Sequence, residues 1–267
     1  DCSADGKITL NSGENKTCTI TNSDSQSKIT VIKKVINDHG GTATVDDFNI
    51  TLTDSTLEFD AGVKEGDTTT YTATVFGDVN KEYTLSETVA GTGYDMESLE
   101  CSLGSNGVFT LPEGEDVTCT IVNNDIQPTL TVKKVVDNGT YGDKQVSDFT
   151  LYVSGNKVTN GEVNKFNAGD YTVSEDNLDR YVATFSGDCD LDGDVTLNVG
   201  DNKVCTITNR STHGKIIIKK LVEPRGDKTK FTFTGDLTGT IGNNGTIQKI
   251  VIPGDYSVTE QSVKGWN

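Results

Sequence analysis

Apolar and polar residues alternate in short runs along almost the whole chain, as in Leu130-x-Val132-x-Lys134-x-Val136, Tyr171-x-Val173-x-Glu175 and Cys205-x-Ile207-x-Asn209. A period of two places each such set on one face of a β-strand. The runs are rich in Thr and Val and are broken by Gly, Asn and Asp, and none holds a helical period, so strands are expected nearly throughout. One pattern recurs three times: CTITN at Cys18 to Asn22, CTIVN at Cys119 to Asn123 and CTITN at Cys205 to Asn209. In each copy Cys, Ile and Asn share a face, which puts an asparagine in line with core residues.

The recurrence divides the chain. Residues 1–24 read as a closing hairpin, Lys7 to Leu10 and then Cys18 to Asn22, belonging to a split domain. Residues 28–125 and 128–211 each read as a whole repeat, and 214–267 as the opening part of another. The linkers, 23–27, 125–128 and 210–214, are short, which predicts a semi-rigid rod. The order, an ending first and a beginning last, predicts either a window on a longer tandem array or a hairpin that completes the last domain of the next copy by strand addition. Both expect head-to-tail assembly with copies of itself.

Charge and cysteines narrow the setting. A net charge of -17 opposes binding to nucleic acid or to anionic membrane surfaces. No run approaches the roughly 20 apolar residues of a membrane span, so no membrane insertion is expected in this segment. The cysteines fall as Cys2 and Cys18, Cys101 and Cys119, and Cys189 and Cys205, one pair per repeat at similar separations. A disulfide in each repeat implies an oxidising, extracellular or cell-surface location. The rival, a zinc site, lacks a CxxC pair or an adjacent histidine.

Strand phase then places three unusual residues inside each repeat. Taking the second lysine of each pair gives Lys34, Lys134 and Lys220; Glu87, Glu175 and Glu260 share a face with Tyr and apolar neighbours; the motif asparagine is the third member. Buried charges cost several kcal/mol each unless paired and hydrogen-bonded. A lysine made neutral by an apolar site is a nucleophile, and a protonated glutamate can shuttle protons. Beside a carboxamide, such a pair can form a Lys–Asn isopeptide bond and release ammonia.

The stretch Y-T-L-S-E-T-V-A-G-T-G-Y at Tyr83 to Tyr94 resembles the E-box of SpaA-like, or Cna B-type, prealbumin-like β-sandwich domains of surface proteins and pili. The segments L-T-V-K-K-V-V, V-x-D-F and N-K-x-C-T-I-T-N resemble a disulfide-bearing, tandem branch of that family. The resemblance implies an all-β chain of tandem prealbumin-like (Ig-like) β-sandwich domains. It implies autocatalytic isopeptide sets of Lys34, Glu87 and Asn123, of Lys134, Glu175 and Asn209, and of Lys220 and Glu260 with Asn22 from a neighbouring copy. The second repeat departs from the pattern, lacking the glycine before Tyr181, and Asn124 competes with Asn123. A hydrogen-bonded Lys–Glu–Asn cluster is the alternative to the bond.

Other signals are weaker. Asp188, Asp190 and Asp192 match the start of a calcium loop, but Val199 stands where the bidentate glutamate belongs, and Asp192-Gly193 equally makes a hairpin turn. Calcium is the one cofactor candidate. Of the Asn-x-Ser/Thr sequons, Asn138 and Asn244 are the better glycosylation candidates, lying in expected loops. His39 and His213 read as solvated loop residues, and no nucleophile stands beside either, so no enzyme is expected. Trp266 is expected at the core position of Tyr94 and Tyr181. The function expected is a structural segment of an extracellular filament or stalk. The alternative is a ligand-binding cell-surface adhesin, calcium-dependent or not, with the long segment Thr53 to Tyr71 as its candidate surface.

Overall fold

The computed structural model describes residues 1–22, 27–89, 93–223 and 225–266. The chain divides into two compact units, the first built mainly from residues before Asp125 and the second from Asp125 onward. Regular structure is β throughout apart from two single 3-10 turns, Val45–Asp47 and Val146–Asp148. Among the described residues, no helix is long and apolar enough to cross a membrane.

The first unit holds a sandwich of two sheets. Five strands lie in the order Val63–Glu65, Thr68–Phe76, Lys28–Ile36, Val117–Asp125, Tyr94–Cys101, and three in the order Phe48–Leu52, Glu82–Val89, Val108–Thr110. The opening strand, Lys28–Ile36, pairs in parallel with the closing strand, Val117–Asp125, at Val31↔Cys119, Lys33↔Ile121 and Val35↔Asn123. The closing strand buries every second residue from Val117 through Cys119, Ile121 and Asn123 to Asp125. These meet Leu52, Tyr83, Leu85, Phe109 and Leu111 from the opposite sheet in one core. Leu57 and Phe59 pack against the same core. Part of the segment from Thr53 to Tyr71 is thereby spent on packing.

The second unit repeats the plan. Its second sandwich sets Val163–Lys165, Thr129–Asp137, Asn202–Ser211 and Tyr181–Gly187 against a sheet of Asn156–Val158, Leu151–Val153, Gly169–Glu175 and Asp194–Leu197. Opening and closing strands are again parallel neighbours, with Val132↔Cys205, Lys134↔Ile207 and Val136↔Asn209. The third sandwich is smaller, pairing Gly214–Lys219 with Thr246–Val251 over a sheet of Gly239–Ile241, Phe231–Gly235 and Val258–Glu260. Trp266 packs edge-on against Phe231, 5.4 Å between ring centroids, as Tyr181 does against Phe149 at 5.6 Å. The two aromatic residues therefore fill one position of the repeat.

Residues 1–22 contain no strand, where the sequence predicts a hairpin. They fold back all the same, through a Cys2–Cys18 disulfide and a bond from the Asp1 ammonium to Thr17 O at 3.2 Å. The physical reason is isolation: two strands without a sheet to join have marginal stability. Disulfides also join Cys101 to Cys119 and Cys189 to Cys205, each clamping the closing strand of its sandwich to the segment before it.

Opening the 16-residue separation between Cys189 and Cys205 by double alanine substitution is expected to lower the stability of the second sandwich by about 3 kcal/mol. A shift of its denaturation midpoint measures this.

Candidate functional site: a buried Lys–Glu–Asn cluster

The opening strand delivers a lysine into each core because the inward phase runs through it. In the first sandwich that phase is Ile29, Val31, Lys33 and Val35, all fully buried. The buried lysine is thus Lys33, and Lys34 points to solvent. This corrects the expectation that aligned the repeats on their Lys-Lys pairs. The true correspondence runs from Ile29-Thr30-Val31 to Leu130-Thr131-Val132, so Ile32 matches Lys133 and Lys33 matches Lys134. The closing strands agree, because Lys33 pairs with Ile121 and Lys134 with Ile207.

The Lys33 amine donates to Glu87 Oε2 and to Asn123 Oδ1, and Asn123 Nδ2 closes the ring by donating to Glu87 Oε1 at 2.7 Å. The side chains of Lys33 and Glu87 have no solvent exposure. In the second sandwich Lys134 donates to Asn209 Oδ1, and Asn209 Nδ2 donates to Glu175 Oε1 at 2.6 Å. Lys134 Nζ also lies 2.6 Å from Glu175 Oε2, an ion pair whose angle is poor for a hydrogen bond. Asn123, not Asn124, is the inward residue; Asn124 donates outward to Glu97 at 3.0 Å.

Burial pushes the ammonium pKa of both Lys33 and Lys134 down, since desolvation disfavours the charged form and outweighs the attraction of Glu87 and Glu175. Each amine is also roofed by a phenylalanine: Lys33 lies 3.8 Å from the ring centroid of Phe48, Lys134 4.3 Å from Phe149 and Lys220 3.9 Å from Phe231. Nothing in the period-two pattern singles out these rings, although the recurring V-x-D-F carries the signal. Its aspartate closes the 3-10 turn that presents the ring, Asp47 accepting from Thr44 N and Asp148 from Gln145 N, both at 2.8 Å. The ring excludes water from one side of the amine and offers it a cation–π contact.

The third sandwich holds only two members. Lys220 donates to both oxygens of Glu260, at 2.8 and 2.9 Å, and among the described residues no asparagine is hydrogen-bonded to either. This pair is partly open to solvent, at 19% and 34%. Asn22 is exposed and lies outside any strand.

The remaining candidates have other employment. Asp188 accepts from Val204 N at 2.7 Å, and Asp190 accepts from Asp192 N and Asp194 N at 2.9 and 2.8 Å, so both carboxylates cap a hairpin. Among the described residues, no metal-sized cluster includes them or Asp192. The Asn138 carboxamide binds Lys144 O, Lys144 N and the Tyr181 hydroxyl, whereas Asn244 is exposed in a turn with φ of 62°. His39, expected in solvent, lies with Nδ1 3.2 Å from the buried carboxylate of Asp125.

A family model described as a prealbumin-like fold domain matches residues 24–121 and again 125–207. The chain belongs to that family. Its prealbumin-like domains stand in tandem, each with one buried cluster. No curated protein matches the chain in sequence. Among solved structures, the TIE protein of Bacillus anthracis is similar over 90% of this chain at 16% identity and a TM-score of 0.44. This chain spans 46% of that protein's length. A major pilin of Streptococcus pyogenes is similar over 70% of this chain and 99% of its own, at 16% identity and a TM-score of 0.31.

Replacing Lys33 by alanine strands the Glu87 carboxylate in the core, with an expected loss of about 3–5 kcal/mol from the first domain. Lys34→Ala is expected to change stability by no more than about 0.5 kcal/mol. Chemical denaturation of the two variants separates the assignments.

Proposed function

We propose that the chain is a load-bearing segment of an extracellular filament or stalk, built from tandem prealbumin-like domains that staple themselves internally. The observation that carries this is the position of the cluster. It spans the opening and closing strands of one sheet, which run parallel as neighbours. A pull on the two ends of a domain draws those strands in opposite directions, so their ladder is loaded in shear and every hydrogen bond resists together. A covalent link between them carries the load without unfolding.

The cluster has the parts for such a link. Once its proton has passed to Glu87, the Lys33 amine attacks the Asn123 carboxamide carbon, the C–Nδ2 bond breaks, and ammonia leaves. Glu87, bonded to both groups, relays the proton from the lysine to the departing nitrogen. Nitrogen and proton counts balance with no cofactor. Lys134, Glu175 and Asn209 offer the same three groups, with Lys134 and Glu175 in an ion pair, and the same reaction is proposed there.

Head-to-tail growth is part of the proposal. Ile121 and Ile207 of the recurring motif are fully buried, but Ile20 of the N-terminal copy is 86% exposed. That copy carries the Cys-Ile-Asn pattern outside any strand, and the third sandwich has a Lys–Glu pair with no asparagine bonded to it among the described residues. A closing segment of this kind, supplied by a neighbouring copy or a following repeat, would lie beside Gly214–Lys219 and bring Asn22 or its equivalent to Lys220.

Intact mass of the non-reduced chain tests the chemistry. One ammonia is expected to be missing for each of the first and second domains, and Lys33→Arg should restore one of them. A full complement of nitrogen in the folded chain would defeat the covalent staple and leave a hydrogen-bonded one.

A further inference from the structure

The repeats act as an internal control on one another, and they differ at the residue before the aromatic that covers the core. This position has a left-handed backbone in all three: Gly93 at φ 107°, Arg180 at φ 72° and Gly265 at φ 90°. Glycine adopts that conformation freely, whereas a side chain is strained there. The second domain alone places an arginine at this position. Its backbone is held in place, since Arg180 O accepts from Thr212 N at 2.9 Å and from Thr212 Oγ1 at 3.1 Å.

Arg180 lines a cleft of about 570 Å³ whose walls come from the second and third sandwiches, with Lys144, Lys249, His213, Tyr141 and Tyr256 among its lining. A smaller cavity of about 320 Å³ shares Tyr141 and Lys249 and adds Lys215. Arg180, Lys144 and Lys215 have no ion-pair partner among the described residues; Lys249 Nζ donates to Asp236 O at 3.0 Å, and its charge also acts on the Asp236 carboxylate. The wall is built in advance. The Tyr181 hydroxyl donates to Asn138 and accepts from Asp143 N and Lys144 N, while Asn138 brackets Lys144 on both sides of its peptide. This fixes the loop that carries Tyr141 and Lys144. His213 Nδ1 is engaged by Ser211 Oγ at 2.6 Å.

We infer that this cleft binds an acidic sugar, an oligosaccharide unit bearing a carboxylate. Three cations, Arg180, Lys144 and Lys249, line this cleft in a chain of net charge -17 and mark a local site for an anion. Tyrosine faces suit the C–H faces of sugar rings. The lining also includes Asp143 and Asp179, which repel a dense polyanion but accept hydrogen bonds from sugar hydroxyls. The site lies apart from the buried clusters, so its failure leaves the filament reading untouched.

Titration of the full chain with tetragalacturonate, maltotetraose and tripolyphosphate, followed by amide shift changes, tests this. Tetragalacturonate is expected to bind and to perturb residues 138–144 and 249–256, with the neutral and phosphate probes much weaker. Arg180→Gly and Lys249→Gln are each expected to weaken it about tenfold or more. Arg180→Gly should leave the melting temperature unchanged or higher, because it removes backbone strain. Binding that survives both variants, no binding of tetragalacturonate, or equal binding of maltotetraose or tripolyphosphate would each overturn the assignment.

Discussion

A lysine ammonium held in a sandwich core is the constraint around which the two complete domains are arranged. Left alone it would cost several kcal/mol, more than a domain of this size can lose lightly. Glu87 and Asn123 meet that cost around Lys33 through a closed ring of hydrogen bonds, and Glu175 and Asn209 meet it around Lys134 through two hydrogen bonds and an ion pair, with Phe48 or Phe149 sealing the remaining side. The ring forms only if opening strand, closing strand and glutamate strand are all in register. One polar cluster thus fixes the relative placement of three strands that apolar contacts alone would let slip by two residues.

The topology gives that cluster mechanical meaning. Parallel neighbours require a long crossover, here the whole body of the domain, so the contact between first and last strands closes the domain. In the proposed filament, a staple at this seam would protect the rest. The disulfides act elsewhere. Cys101–Cys119 and Cys189–Cys205 tie the closing strand to the residues just before it, which keeps its end from peeling. Neither staple duplicates the other, because one holds the strand to the start of the domain and one to its own hairpin.

Most of this was legible in the alternation of residues. Period-two runs gave the strands, and Cys-x-Ile-x-Asn placed the asparagine on the core face because no other phase buries the isoleucine. Glu87 and Glu175 followed in the same way from Tyr83-x-Leu85 and Tyr171-x-Val173. The lysine of the first domain was not legible from the Lys33-Lys34 pair, where aligning like with like slipped the phase by one residue and turned the wrong side chain inward. Only the run of Ile29 and Val31 before it decides. The phenylalanine roofs approach from across the sandwich, so no period-two phase marks them, and the recurring V-x-D-F is their signal in the sequence. Residues 1–22 carry the strand pattern without strands, since pattern states which face would be buried and a sheet must still be there to bury it.

Departures from the repeat are more informative than the repeat itself. Where all three copies agree, as in the lysine beneath a phenylalanine, the agreement is explained by packing shared among sandwiches. Where one copy departs and accepts strain, packing gives no reason. The backbone before Tyr181 needs the same left-handed turn that Gly93 and Gly265 supply without cost, and a glycine at residue 180 would fit the fold at least as well as the arginine present. On the inference drawn above, the arginine serves the cleft it lines, where Lys144, Lys249 and three tyrosines converge. If the chain is the shaft proposed above, identical stapled units have no need of such a place, and the residue that departs from the repeat marks where the proposed contact with the surroundings would be made.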